Sequence, residues 1–267
     1  MIGHDMRLSA ILVWVLCAFA SYLGAEPAKV ISVGFAEFPP YAAFANGKPS
    51  GFTVEIVKEA LAHTHLAVKF QEVSSWSEAV NKTTQGELDG LLAPTHQEAP
   101  HLIFPKHALA LQGECFYVKQ TDTWQPTHAS SFIGRKTIVF PGWSHEAKFI
   151  KRLSDKVYHQ AFIHRHHNSD YDINNMQMVM AGDANAFWED PNAFNTYRRD
   201  EKAVSDLKRN FKMAGCLHYM KLYLGLTPVK QTQSDRVAKA FDEGFERLKA
   251  TGRIDEIKRQ YHVLIPD

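Results

Sequence analysis

Apolar and polar positions alternate along the first third of the chain in patterns typical of strands and helices in turn. The pattern predicts a strand over residues 30–35, a helix over 53–63, an alternating strand over 68–73, a short helix over 76–84 and a buried strand over 88–92. Strands that alternate with helices in this order build a parallel sheet with helices on its faces. This part of the chain is therefore predicted to form an α/β lobe.

The alternation returns further along and predicts a second lobe built alike. Its predicted elements are an extended segment over 108–119, a strand over 136–140, helices over 144–154 and 174–181, and a strand over 184–188. Another long extended segment follows over 216–226. A final helix over 234–250 has apolar side chains at i, i+3, i+4 and i+7, and we expect Ser234 to cap it and Gly252 to end it.

The amino-terminal residues have a composition of their own. An apolar segment runs from about residue 8 to 20, behind His4 and Arg7, and is followed by small residues up to Ala25. A membrane-spanning helix needs about 20 apolar residues, and this segment is shorter. We therefore predict a signal peptide over residues 1–25 and export of the remainder, with an uncleaved anchor as the alternative.

Charge and cysteine content narrow the possible partners. Thirty Lys and Arg residues balance 29 Asp and Glu residues, which favours neither nucleic acid nor anionic lipid as a partner. Cys17 leaves with the signal peptide, so Cys115 and Cys216 are the two cysteines of the mature chain. This usage agrees with an oxidising compartment.

Two prolines follow the first strand, in the run Phe38-Pro39-Pro40-Tyr41. Because proline lacks the N–H that a sheet needs, the chain leaves the sheet here and presents aromatic rings at the carboxyl end of a strand, where α/β proteins bind small molecules. With the turn over 46–51 and the helix behind it, this segment resembles the start of the mature bacterial extracellular solute-binding proteins of family 3. Segments 86–90, 103–105, 134–140, 182–190 and 252–257 match the family in order and spacing.

The resemblance implies an α/β fold of the two-lobed periplasmic-binding-protein class (type II), with two hinge strands near 109–114 and 217–223. Residues 28–109 and 224–267 would form the first lobe and residues 110–223 the second, with a ligand cleft between them. On this layout Cys115 and Cys216 face each other on the hinge strands, and we expect a disulfide bond. Two buried thiols are the alternative.

The family also implies which residues contact a ligand. In the second lobe, the turn after strand 136–140 leads to a helix amino terminus suited to an anion, and Asp190 would hold an α-amino group, with Glu189 as second choice. Alternatives are core packing for Trp76, simple capping for Ser144 and a solvated turn for Asp190. The full set of expected ligand contacts is Phe38, Trp76, Ala93, Pro94, Thr95, Trp143, Ser144, His145 and Asp190.

The chain departs from the family in the first lobe. Amino-acid binders carry an arginine a few residues after Thr95 that grips the α-carboxylate, and no arginine occurs from residue 88 to 134. Two charge-assisted hydrogen bonds, each worth about 1.5 to 3 kcal/mol, would be lost. An ordinary α-amino acid is therefore disfavoured. If Glu98 faces the cleft, its negative charge would favour a cationic ligand; if it faces water, it has no bearing on the ligand. His96 or His101 would supply a weaker, pH-dependent positive charge in place of the arginine.

Histidine is in excess, with fourteen in the chain and a cluster at His159, His164, His166 and His167. The cluster lacks the helical i, i+4 spacing of metal ligands, so a solvated polar loop is preferred to a metal site. We expect no metal and no cofactor.

Three functions are compatible with the sequence. We favour a monomeric, non-enzymatic periplasmic solute-binding protein that captures a small polar ligand and delivers it to an inner-membrane ABC permease or a sensor. The first alternative is a periplasmic accessory protein that binds a metal or a protein. The second is a dehydratase-like enzyme on the same fold, which the missing arginine disfavours because that chemistry also grips a carboxylate.

Overall fold

The computed structural model describes residues 29–139, 153–165 and 171–264, and the elements of its first part follow the predicted alternation closely. A short hairpin separates the first strand from the first helix. In chain order the elements are β1 (Lys29–Phe35), β2 (Ala43–Ala45), β3 (Lys48–Ser50), α1 (Phe52–Leu61), β4 (Leu66–Glu72), α2 (Trp76–Gln85) and β5 (Gly90–Leu92).

Two long strands enclose the second part of the chain, and the chain then returns to the first sheet and ends in two helices. A 3-10 helix (Ala129–Phe132) lies between β6 and β7. The elements are β6 (Ala110–Lys119), β7 (Thr137–Val139), α3 (Asp155–Ala161), β8 (Phe162–His164), α4 (Tyr171–Ala181), β9 (Ala186–Glu189), α5 (Pro191–Thr196), α6 (Lys202–Lys208), β10 (Phe211–Leu222), β11 (Leu224–Leu226), α7 (Gln231–Ala250) and α8 (Arg253–Gln260).

The strands form two main sheets, each with a parallel centre. The first has the order β11-β5-β1-β4, with β1 parallel to β4 and β5. The second has the order β10-β6-β9-β7-β8, with β7 parallel to β8 and β9. The chain passes between the sheets through β6 and β10, which pair antiparallel. This is the predicted two-lobed α/β architecture. The exact lobe boundaries stay a prediction, and we use first and second lobe for each sheet with its helices.

The core of the first lobe joins β1, α1 and α7. Helix α7 buries the apolar stripe predicted from the sequence, including Val237, Phe241 and Phe245. At Gly244 the two helices approach so closely that a Cβ would lie 1.9 Å from the carbonyl oxygen of Ala60. Glycine is therefore required there, because any side chain would push α1 and α7 apart.

One predicted cap is wrong. Helix α7 begins at Gln231, so Ser234 lies inside its first turn, where its hydroxyl donates to the carbonyl of Thr227 at 2.6 Å. The predicted helix start is late because the apolar stripe in the sequence begins one turn after the helix does. At the other end Gly252 has φ 73°, the left-handed conformation expected of a residue that ends a helix.

The predicted disulfide is confirmed. Cys115 on β6 lies directly opposite Cys216 on β10, and their sulfur atoms are bonded at 1.99 Å. The bond joins residues 101 apart in the sequence and fastens the two strands that link the lobes. Within the described residues, no helix is long and apolar enough to cross a membrane.

Removal of this disulfide should lower stability strongly. For a loop of about 100 residues, chain entropy alone predicts a loss of about 4 to 5 kcal/mol in the free energy of unfolding. We expect this loss in the Cys115→Ala, Cys216→Ala double variant, measured by urea unfolding. Wild-type protein kept reduced is the control and should match the variant. Equal unfolding midpoints for the variant and the oxidised wild type would contradict the prediction.

Candidate functional site

Three predicted first-lobe residues lie at one edge of the first sheet. Phe38 follows β1, Trp76 follows β4 and Ala93 follows β5, and these three strands are parallel neighbours. Because the carboxyl ends of parallel strands meet at the same edge, the topology brings these positions together where α/β sheets bind ligands.

The proline-containing segment after β1 forms an aromatic stack. The rings of Phe38 and Tyr41 lie parallel with centroids 4.9 Å apart, and the backbone N–H of Phe38 donates to the carbonyl of Ala42 at 2.8 Å. Phe38 keeps part of its ring exposed, whereas Tyr41 is fully buried. Tyr41 thus covers one face of the Phe38 ring and leaves part of that ring exposed, and ligand contact by Phe38 stays a prediction.

The segment after β5 is held by the chain that returns to the first lobe. Ala93 donates to the carbonyl of Tyr223, and Tyr223 donates to that of Pro94, both at 2.9 Å. Thr95 and Glu98 form a reciprocal capping pair, because the Thr95 hydroxyl donates to Glu98 Oε2 at 2.9 Å and the Glu98 N–H donates to Thr95 Oγ1 at 3.1 Å. Glu98 therefore has a partner in Thr95, an arrangement that neither sequence alternative included.

Trp76 packs against the core and also remains partly exposed, and its contact with a ligand stays a prediction. It is the first residue of α2, behind the cap Ser75, whose hydroxyl accepts from the Glu78 N–H. Its ring packs against an apolar cluster that includes Leu91 and Leu102, and part of it remains exposed. A ring that packs on one side and is exposed on the other is suited both to contact with a ligand and to covering the apolar core.

Asp190 is the centre of a buried hydrogen-bond network. Its side chain is 0% exposed. Oδ2 accepts from the N–H of Gly113 at 2.8 Å, and Oδ1 accepts from the N–H groups of Asn192 and Ala193 at 2.9 Å. The hydroxyl of Tyr41 lies 3.0 Å from Oδ1. The carboxylate thus caps α5 and also joins β6 of the second lobe to Tyr41 of the first.

Burial and these hydrogen bonds act in opposite directions on the pKa of Asp190. Burial raises its pKa to about 6, and the hydrogen bonds from Gly113, Ala193, Tyr41 and Asn192 oppose that rise. The group is therefore ionised at neutral pH. Because Asp190 is fully buried, a ligand ammonium could reach it only if the surrounding residues moved, and ligand contact by Asp190 stays a prediction.

Glu189, the second choice for that role, points into the second lobe. It is 1% exposed, and its Oε1 accepts from the N–H of Asp190 at 2.7 Å. Burial raises the pKa of Glu189 well above its usual value, and the nearby carboxyl of Asp172, itself 4% exposed, raises it further. Burial beside a second carboxyl therefore favours the protonated form of Glu189, as expected of two carboxyl groups that share one dry site.

Sequence reasoning missed two members of the Asp190 network. Asn192 donates through Nδ2 to the Tyr41 oxygen at 3.1 Å and accepts through Oδ1 from the N–H of Leu264 at 2.6 Å. Tyr41 also lies 2.9 Å from the carbonyl of Leu111. A signal for the cap was present, because Asp followed by Pro is a typical helix start. The partners of Asp190 across the lobes left no local signal.

Several predicted features fall outside the described residues. These include the signal peptide over 1–25, the second-lobe contacts Trp143, Ser144 and His145, and the histidines His166 and His167. Of the other clustered histidines, His164 lies 3.1 Å from the hydroxyl of Tyr158 through its Nε2. The described residues contain no group of three or more His, Cys, Asp or Glu side chains placed to hold a metal ion.

A model of the bacterial extracellular solute-binding proteins, family 3, matches residues 31–263. The chain belongs to this family. The match spans both lobes and confirms the resemblance seen in the sequence. No curated protein sequence matches the chain.

Solved structures similar to this family member share its fold at low identity. A histidine kinase sensor domain with similarity to periplasmic binding proteins has a TM-score of 0.68 at 17% identity, covering 91% of this chain and 100% of its own. A probable amino-acid ABC transporter extracellular-binding protein from Bacillus subtilis has 0.68 at 18%, covering 88% and 97%. An ancestral arginine-binding protein bound to arginine has 0.65 at 16%, covering 88% and 99%.

The state of Glu189 predicts a pH effect on stability. A carboxyl whose pKa is raised on folding stabilises fully below its unfolded pKa, near 4.5, and loses that contribution as the pH rises toward the folded pKa. We expect Glu189→Gln, which keeps the acceptor for Asp190, to gain stability relative to wild type between pH 5 and pH 8, measured by urea unfolding. The same difference at both pH values would show that Glu189 is not protonated in the fold.

Proposed function

We propose that this solute-binding protein works in the periplasm, capturing a small polar ligand between its lobes and delivering it to an inner-membrane ABC permease or a sensor. The observation that carries the proposal is the first-lobe edge formed by Phe38, Trp76 and the 93–95 segment, in a member of an extracellular solute-binding family. The sensor option is supported by the similar fold of the kinase sensor domain.

The proposed location has two independent supports. The amino-terminal segment has the length and composition of a signal peptide. The disulfide between Cys115 and Cys216 is of a kind that persists in oxidising compartments such as the bacterial periplasm. We further propose that the protein acts as a monomer and without enzymatic activity, as a binding protein of this family.

The proposed ligand is bound by other groups than those that bind an ordinary α-amino acid in this family. Residues 88–134 contain no arginine to pair with an α-carboxylate. Glu98, which lies in that region, is paired with Thr95, and every Asp190 oxygen already accepts from the protein. Similar structures include an arginine-binding protein and a putative L-cystine transporter from Listeria monocytogenes, so amino acids belong in any test. We propose a polar ligand gripped mainly through aromatic faces and backbone groups of the first lobe.

A thermal-shift screen tests the proposal. The protein from residue 26 onward is heated with amino acids, polyamines, short peptides, organic acids, sugars and divalent metals in turn. A ligand at a hundred times its dissociation constant adds about 2.7 kcal/mol, which raises Tm by a few degrees. We expect a selective shift with one polar class. No shift with any class, in folded protein freed of bound ligand by unfolding and refolding, would contradict the proposal.

Trp76→Ala should weaken binding of the ligand identified in the screen. Loss of a fixed aromatic face costs about 1.5 kcal/mol or more, which is about tenfold in the dissociation constant. Calorimetric titration measures the change. The control is Val30→Ala, an exposed position at the opposite end of β1, which should leave affinity unchanged. Equal affinities for both variants would place the ligand elsewhere.

A further inference from the structure

A cavity lies away from the first-lobe edge, on the face of the second sheet that carries α5. Its volume is about 830 Å³. This is within the range of about 300 to 1,000 Å³ typical of small-molecule sites. Its walls come from β6, α5, the end of α6 and β10, and include Tyr117, Phe194, Phe211, Met213 and Tyr219.

The walls are aromatic and in part open to solvent. The rings of Tyr117 and Phe194 stack with centroids 4.0 Å apart, and Phe211 is buried beneath. At the mouth Met213 and Tyr219 are each 48% exposed. Large apolar side chains exposed together around a concavity are typical of a binding surface.

Among the residues that the structure describes, the charged groups in the lining are all cations. They are Lys208, Arg209 and Lys212. Arg209 pairs with Asp206 outside the lining, at 3.0 Å. The Lys208 ammonium lies 5.3 Å from the centroid of the Phe194 ring. The cavity therefore combines an apolar interior with a positive rim.

Of these three cations, Lys208 is the most strongly desolvated. Desolvation lowers its pKa to about 8, and the charge of the nearby Asp172 opposes that shift only in part. The ammonium donates to the carbonyl of Tyr197. A desolvated cation with a neutral partner gains more from an incoming anion than a solvated surface lysine does, because its own charge is poorly screened.

The cavity also adjoins the junction of the lobes. Leu111, at the first-lobe end of β6, and Leu264, which follows α8, complete its wall. The chain before Leu264 is held on α5, because Asn195 Nδ2 donates to the carbonyl of His262 at 3.1 Å. None of the predicted ligand contacts that the structure describes lines this cavity, so it is distinct from the first-lobe edge.

We propose that this cavity binds a small amphipathic anion, an organic carboxylate with an aliphatic or aromatic body. The body lies between Phe194, Tyr219 and Met213, and the carboxylate meets Lys208 at the rim. The proposal is independent of the solute captured between the lobes. Octanoate serves as the probe, with octylammonium and octanol as probes of equal length and different charge.

Nuclear magnetic resonance of ¹³C-methyl methionine reports directly on the cavity, because Met213 is at its mouth. We expect octanoate to shift the Met213 methyl signal in a saturable way at pH 7, with octylammonium and octanol binding at least about tenfold more weakly, since each lacks a charge-assisted bond to Lys208. No saturable shift of Met213, or equal binding of the three probes, would overturn the proposal.

Matched glutamate variants separate this cavity from other sites. Met213→Glu places a carboxylate at the mouth and should reduce octanoate affinity at least about tenfold in calorimetric titration. Met180→Glu alters another exposed methionine, 42% exposed on α4 outside the cavity, and should bind as wild type does. Both positions are exposed, and circular dichroism checks the fold of each variant. Equal octanoate affinity in the two variants would place the anion elsewhere and overturn the proposal.

Discussion

A buried carboxylate helps to hold the two lobes of this protein together. An ionised group removed from water is costly unless hydrogen bonds replace its hydration. Asp190 meets this condition with donors from three places, namely the Gly113 N–H on β6, the first N–H groups of α5 and the Tyr41 hydroxyl of the first lobe. Removing any of them would leave a buried charge short of a partner, so the three places are held in one arrangement.

The hydrogen bonds of Asp190 also position the neighbouring segments of both lobes. Tyr41 belongs to the proline segment, so its anchor in the second lobe also positions Phe38, whose ring stacks on it. Gly113 lies two residues before Cys115, so the disulfide and the carboxylate brace the same part of β6. Both contacts lie on the strand through which the chain passes from the first sheet to the second. Domain closure around a ligand turns on a few such connecting residues, so this part of β6 is where the relative position of the lobes is controlled.

The sequence was informative where the signal was local or periodic. Strands, helices and the two-lobed class follow from apolar periodicity, and the disulfide followed from the family layout once two cysteines remained. The role of Asp190 did not, because its Tyr41 partner lies 149 residues away and no local pattern reports such a contact. For a similar reason the sequence leaves open whether Glu98 faces the cleft or water. Its capping pair with Thr95 depends on a turn that propensity alone does not specify.

The hydrogen bond between Tyr41 and Asp190 is the most direct test of this account. A double-mutant cycle with Tyr41→Phe and Asp190→Asn, each variant measured by urea unfolding, isolates the energy of their coupling. We predict about 1 to 3 kcal/mol, as for contacting residues in a buried network. Additive losses, with a coupling energy near zero, would mean that the carboxylate caps α5 without joining the lobes.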